Sequence, residues 1–190
     1  MKVYLAGPEV FLPDAAAIAA QKKQLCAQHG LEGIFPTDPR PHPAGEAGLA
    51  RWYAIYLGNE ADLRGCDALV ANLTPFRGPS ADPGTVYELG FVRALGRPAL
   101  GYTNDARDFT DRTLHSLGGR TDRNEAGRLV DAAGMAIEEH GLADNLMIEG
   151  GIRAAGGLLV RHAVPEAALW SDLRGFEACL KALAAMRANG

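Results

Sequence analysis

Apolar residues along this chain fall in short runs separated by longer stretches with helical spacing, the pattern of strands alternating with helices around a parallel sheet. Val3-Tyr4-Leu5-Ala6 reads as the first strand and stops at Gly7-Pro8. An alanine-rich helix is predicted from Asp14 to His29, with Gly30 as its cap. Gly33-Ile34-Phe35-Pro36 gives a weaker second strand, and 37–48, rich in proline and glycine, reads as loop. Trp52 to Leu63 is predicted as the second helix, ending near Gly65. Ala68 to Leu73 is the clearest strand, continuous and apolar as buried parallel strands are. A helix from Pro83 to Leu95, closed by Gly96, leads to a fourth strand at Pro98 to Tyr102.

Beyond Asn104 the periodicity weakens. From Asn104 to Arg128 the chain is dominated by Asp, Arg, Thr and Gly, and reads as an excursion over the active site or an oligomer contact. A helix is expected from about Asn124 to His140, then irregular Gly-rich sequence around Gly150 to Gly157. Leu158-Leu159-Val160 supplies a fifth strand. Ser171 to Met186 closes the chain as an amphipathic helix with Leu173, Phe176, Leu180 and Leu183 as its stripe. The expected fold is α/β: one domain over 1–190, a doubly wound, flavodoxin-like or Rossmann-like five-stranded parallel sheet with flanking helices. Ligands in such sheets bind beyond the carboxyl ends of the strands, so functional residues belong at Gly7-Pro8, Thr74-Pro75 and the turn into Pro83.

Composition narrows the field. A chain of 190 residues with 47% hydrophobic and 22% charged residues fits a globular domain with a substantial core. A net charge of -4 gives no footprint for a nucleic-acid polymer, though a small anion is still admissible. Cys26, Cys66 and Cys179 are scattered and odd in number, which points to free thiols in a reducing compartment. The apolar start is cut at Gly7-Pro8, too soon for a signal peptide, and no apolar stretch reaches the ~20 residues of a membrane span. A cytoplasmic protein without membrane contact is expected. The histidines at 29, 42, 115, 140 and 162 lack the paired spacing of metal ligands, so no metal site is expected. Gly7-Pro8 is also not the glycine fingerprint of a dinucleotide dehydrogenase.

The chemistry concentrates between Asp82 and Phe91. Asp82 before Pro83 is a natural helix start, with Asp as N-cap and Pro in the first turn, and capping alone would account for it. Glu88 is different. Its helical neighbours Phe91, Val92 and Leu95 form an apolar stripe, and it lies too far inside the helix for a capping box. A carboxylate on the buried face near a helix start, at the carboxyl edge of the sheet, is a candidate catalytic group; a partnered structural glutamate is the alternative.

The segment beginning Cys66-Asp67-Ala68 and running to Glu88-Leu89-Gly90 resembles the core motif of the nucleoside 2'-deoxyribosyltransferase family, in the branch with a Thr-Pro-Phe-Arg-Gly loop (here Thr74 to Gly78). Lys2 to Phe11 resembles the family's first strand and loop, and Asn145-Leu146-Met147 its downstream Asn-Leu-Met motif. The resemblance implies an enzyme that cleaves the N-glycosidic bond of 2'-deoxynucleosides. Glu88 would be the nucleophile, forming a covalent deoxyribosyl intermediate that passes to an acceptor nucleobase, with no cofactor. It implies that Tyr4 touches the nucleophile, where a core aromatic is the plainer reading, and that Asp82 holds the sugar hydroxyls. It further implies substrate contacts from Gly7, Phe76 and Gly84, and Asn145 delivered from a neighbouring subunit, hence a homodimer or higher homo-oligomer with shared sites. From its sequence alone Asn145 would be a surface loop amide.

One position departs from the family's common pattern. Eight residues before Asp67, where many members carry a base-contacting aspartate, this chain has Asn59. A carboxamide can bond a base edge but cannot deliver a proton at neutral pH. Protonation of the leaving base then falls to water, to Glu60 or Asp62, or to the base's own tautomer. Asp67 itself reads as structural, tying the loop before the third strand. The Thr74–Ser80 loop has two readings: Arg77 and Ser80 hold a phosphate, or the loop covers sugar and base with Phe76. The rigid Gly78 and two prolines favour the cover. Three functions remain in play: base exchange, hydrolysis of deoxynucleosides or their 5'-monophosphates, and a nucleotide-binding domain without catalysis, which a buried-face Glu88 disfavours.

Overall fold

The computed structural model describes residues 1–39 and 49–188. Its centre is a parallel sheet of five strands in the order β2-β1-β3-β4-β7. These are β1 (Lys2–Ala6), β2 (Glu32–Ile34), β3 (Ala68–Asn72), β4 (Ala99–Thr103) and β7 (Leu159–Arg161). The intervening β5 (Thr121–Arg123) and β6 (Leu129–Asp131) form a separate antiparallel hairpin. Helices α1 (Ala15–Gln28), α2 (Arg51–Gly65), α3 (Pro83–Ala94), α4 (Phe109–Ser116), α5 (Leu146–Ala154) and α6 (Arg174–Ala188) complete the chain. The doubly wound α/β reading therefore holds.

Strand pleating decides which side chain meets which layer. In β1, Val3 and Leu5 join Val70, Leu100, Phe176 and Leu180 in a core closed by α1 and α6. Tyr4 and Ala6 point the opposite way, into a core with Leu69, Ala71, Leu89, Val92 and Ile152, closed by α2, α3 and α5. Both faces are covered, which is why the strands read as continuous apolar runs rather than alternating ones. The order places β1 beside β3 with the chain turning outward in opposite directions, so the crevice above their carboxyl ends is the switch point of the fold. Asp67 fastens the other end of this pair: its Oδ2 accepts from the Lys2 amide at 2.7 Å, and its own amide donates to the Lys2 carbonyl at 2.8 Å.

Three expectations fail in the second half. No helix covers 124–140; the β5–β6 hairpin and extended chain occupy that stretch. Polar turn chemistry overrides the weak periodicity: Asn124 Oδ1 accepts from the amides of Ala126 and Arg128, and Asp131 Oδ1 from those of Ala133 and Met135. Gly127 and Gly134 supply the left-handed residues, at φ 73° and 81°. Conversely, α4 lies inside the stretch expected to be irregular, and α5 runs through Gly150 and Gly151, because Ile148 and Ile152 bury one turn apart and tertiary packing outweighs glycine's poor propensity. The 37–48 loop expectation and His42 fall largely outside the described residues. Cys26, Cys66 and Cys179 are free and buried.

Candidate active site

Asp82 starts α3 as its N-cap: its Oδ2 accepts from the Thr85 amide at 2.9 Å and the Thr85 hydroxyl at 3.1 Å. Gly84 keeps that oxygen clear, since a Cβ there would stand 3.0 Å from Asp82 Oδ2. Glu88 follows six residues on, nearly two turns into the helix, half-buried beside the sheet. Its stripe is shorter than the sequence spacing implies: Val92 is buried and Phe91 partly so, but Leu95 ends the helix and faces solvent.

The fully buried Tyr4 of β1 donates its hydroxyl to Glu88 Oε1 at 2.9 Å. Burial pushes the Glu88 carboxyl up to about 7; the Tyr4 hydrogen bond pulls the other way, and the Asp82 charge adds to the rise. The phenol thus moderates a shift that burial would otherwise carry further. A half-buried carboxyl near neutrality, oriented by a phenol from the adjacent strand, is equipped to attack an electrophilic carbon.

The remaining expected residues sort unevenly. Gly7 lies at the carboxyl end of β1, where a Cβ would come within 1.9 Å of Glu9 Oε2, so a side chain there would have to displace the buried Glu9 carboxylate. Phe76, on the loop after β3, stacks on Phe11 from the loop after β1, with centroids 5.4 Å apart and planes 10° from parallel. Asn59 is half-buried on α2. Asn145 caps α5, its Oδ1 accepting from the Met147 amide at 3.0 Å while its amide donates to Glu138 Oε1. It sits by Ser80, Ala81 and Pro83 at one end of a mainly apolar groove of about 920 Å³ between α3 and α5. Ser80 donates to Asp144 rather than presenting its hydroxyl to the crevice. Glu60 accepts from Tyr56 and Arg64, which hold it below the ordinary carboxylate range; it is ionised at neutral pH and a poor acid for the leaving base.

Sequence reasoning missed a buried polar cluster under the crevice. Glu9 Oε1 pairs with Lys22 and accepts from Asn72 Nδ2 at 2.8 Å and the Tyr102 hydroxyl at 3.1 Å. Lys22 also lies 5.1 Å from the Phe176 ring centroid and 5.4 Å from that of Tyr102. All four polar residues are at most 1% exposed, so each depends on the others for its polar contacts. Asn72 Oδ1 in turn accepts from the Thr74 amide at 3.0 Å, which joins the loop after β1 to the loop after β3. The available signal was Lys22 on the same helical face as Ile18 and Cys26.

A doubly wound sheet with a phenol-oriented carboxylate at its switch point defines an α/β protein built to act on a ligand held at its carboxyl edge. The particular family follows from comparison: the family model described as nucleoside 2-deoxyribosyltransferase matches residues 3–147, and the chain belongs to that family. It is 32% identical over 185 residues to an uncharacterized protein of Schizosaccharomyces pombe, covering 87% of this chain and 83% of that protein. Among solved structures, the 2-desoxiribosyltransferase from Leishmania mexicana superposes with a TM-score of 0.58 at 26% identity, covering 90% of this chain and 95% of the other. A conserved protein from Enterococcus faecalis V583 shares the fold, with a TM-score of 0.54 at 21% identity over 96% and 98% of the two chains.

Proposed function

We propose that this chain transfers the 2-deoxyribosyl group of a 2'-deoxynucleoside to a free nucleobase through a covalent intermediate on Glu88. The observation that carries the reading is the 2.9 Å bond from the buried Tyr4 hydroxyl to Glu88 Oε1. The ionised Glu88 carboxylate attacks C1', the N-glycosidic bond breaks, and its electron pair leaves with the base, which takes a proton from water. The acceptor base then attacks C1' from the face the first one left, gives up its ring N–H proton to water, restores the carboxylate, and gives net retention. The missing 2'-hydroxyl helps, because an electron-withdrawing oxygen beside C1' would oppose the oxocarbenium-like transition state. Substitution at this carbon calls for no redox or group-carrying cofactor.

Asp82 holds the sugar hydroxyls with Oδ1, the oxygen its cap bonds leave over. Asn59 bonds the base edge, Phe76 covers it, and Gly7 and Gly84 let backbone approach the sugar. Asn145 reaches the site of a neighbouring subunit, so the working form is a homodimer or larger homo-oligomer; the likeness of Asn145-Leu146-Met147 to the family motif supports this.

Incubation with deoxyinosine, with and without adenine, tests the reaction. Deoxyadenosine formed only when adenine is present is the expected product, whereas hypoxanthine release indifferent to adenine would make the protein a hydrolase. Glu88→Ala should lower turnover by several orders of magnitude, and a variant retaining more than about a tenth would remove Glu88 from the nucleophile role. Mass spectrometry after incubation with a 2-fluorinated deoxynucleoside analogue should find the sugar on the Glu88 peptide.

A further inference from the structure

The loops leaving β1 and β3 meet above the switch point through a ring cluster of which the proposed chemistry uses only Phe76. Phe11 and Phe76 stack across the crevice, and Trp170, from the segment before α6, meets Phe76 edge-on at 6.0 Å. The Arg77 guanidinium lies 4.6 Å from the Phe76 centroid and 5.4 Å from that of Phe11. Arg77 holds φ at 57°, and among the described residues no other non-glycine residue takes a positive φ. Gly78 follows immediately and could adopt that conformation without cost, yet the strain is placed on the arginine. Among the described residues its guanidinium donors meet no carboxylate or carbonyl acceptor, and Phe11 is 56% exposed.

We propose that Arg77 on its Phe11–Phe76–Trp170 bed is the base-selecting element of the site and favours 6-oxopurines (hypoxanthine, guanine) over adenine. The inference rests on the deoxyribosyl-transfer reading and adds the specificity to it. A planar base uses both halves of the bed at once, stacking on an aromatic face while accepting from the guanidinium; a phosphate could use the cation alone. A guanidinium has five donors and no acceptor. The O6 and N7 of a 6-oxopurine present two adjacent acceptors that match its fork, whereas adenine places an amino donor where O6 would stand and leaves donor facing donor. Ion pairing with a neighbour would blunt this selection; the aromatic bed orients the cation while leaving its N–H groups available.

Free bases contain no glycosidic bond, so their binding tests the bed whether or not Glu88 is a nucleophile. In a Trp52→Phe background, which removes the exposed tryptophan of α2, Trp170 fluorescence reports binding of hypoxanthine, adenine and inorganic phosphate. Hypoxanthine should bind about ten-fold more tightly than adenine. Arg77→Gln should bring the two within about two-fold by weakening hypoxanthine alone. Arg77→Lys, which keeps the charge but loses the fork, should do the same, and a thermal melt checks that each variant is folded. In turnover, the kcat/KM ratio of deoxyinosine to deoxyadenosine should collapse in the same variants. Failure to bind either base, equal binding, or a preference that survives Arg77→Gln or Arg77→Lys overturns the proposal. So does phosphate binding that depends on Arg77 while base binding does not. Selective base binding without any glycosidic cleavage would instead sink the catalytic reading and leave the bed standing.

Discussion

A carboxylate that attacks carbon must be ionised, yet the position of Glu88 pushes its proton affinity up to about 7. Two consequences follow at this residue. On the proposed mechanism, kcat/KM rises as pH increases through about 7, and Tyr4→Phe moves that acid limb to higher pH by removing the bond that favours the charged form. For stability the sign is opposite. The folded protein binds the Glu88 proton more tightly than the unfolded chain, whose carboxyl titrates near 4.5. Stability from this group is full below about 4.5 and lost as pH rises through about 7. Glu88→Gln, the permanently neutral form, should match the native protein in urea melts at pH 4 and exceed it by roughly 3 kcal/mol at pH 8. A variant no more stable at pH 8 would mean that the carboxylate is not penalised by burial.

Asp82 sets a second residue-scale expectation. On the proposed reading, a carboxylate at the sugar's end of the site accepts a hydrogen bond from a free 5'-hydroxyl, worth about 1.5–3 kcal/mol, but repels a 5'-phosphate by at least ~1 kcal/mol. Deoxyadenosine should therefore exceed its monophosphate by ten-fold or more in kcat/KM, on the order set by such energies. Equal values, or a preference for the monophosphate, would reduce Asp82 to its helix cap.

Among the elements, α4 and the start of α5 are held by a contact invisible in local periodicity. Arg112 of α4 is 3% exposed and donates to the carbonyls of Pro79, Arg107 and Ala143, with its guanidinium 3.8 Å from the buried Asp144. Asp144 in turn accepts from the Ala81 and Asn145 amides, both at 2.8 Å. One arginine therefore bolts the loop between β3 and α3, the chain before α4 and the Asn145 cap into a single unit. Arg112→Ala leaves Asp144 buried without its counter-charge and should cost about 3–5 kcal/mol by urea unfolding. A loss below about 1 kcal/mol, the range of exposed ion pairs, would show the bolt to be solvated. Lys22→Met poses the same question under the crevice, because it strands the carboxylate of Glu9.

At the scale of the whole molecule, the proposed sharing of sites between subunits makes a test that one chain cannot answer. Mixing inactive Glu88→Ala with inactive Asn145→Ala should restore part of the activity, since one hybrid site keeps both residues. No recovery despite demonstrated subunit exchange would confine each site to its own chain. The doubly wound sheet was legible before any coordinates, because β1, β3 and β4 are buried on both faces and announce themselves as unbroken apolar runs; the family was legible only through the likeness of its motifs. The Asp82 cap and the contact of Tyr4 with Glu88 were legible too: the cap and the helical spacing are local, and motif likeness supplied the partner strand. What depends on distant pairs was not legible. The hairpin over 121–131 replaced a predicted helix because side-chain oxygens of Asn124 and Asp131 captured turn amides. The Glu9–Lys22–Asn72–Tyr102 cluster joins residues up to 93 positions apart, and Arg77 finds its bed only where two loops converge. Sequence determined the strands of the parallel sheet and the helix that carries Glu88, since periodicity and capping act within a few residues. Tertiary structure decided how burial raises the Glu88 proton affinity, where buried charges find partners and which rings hold the Arg77 cation, because those energies depend on distances that chain order does not set.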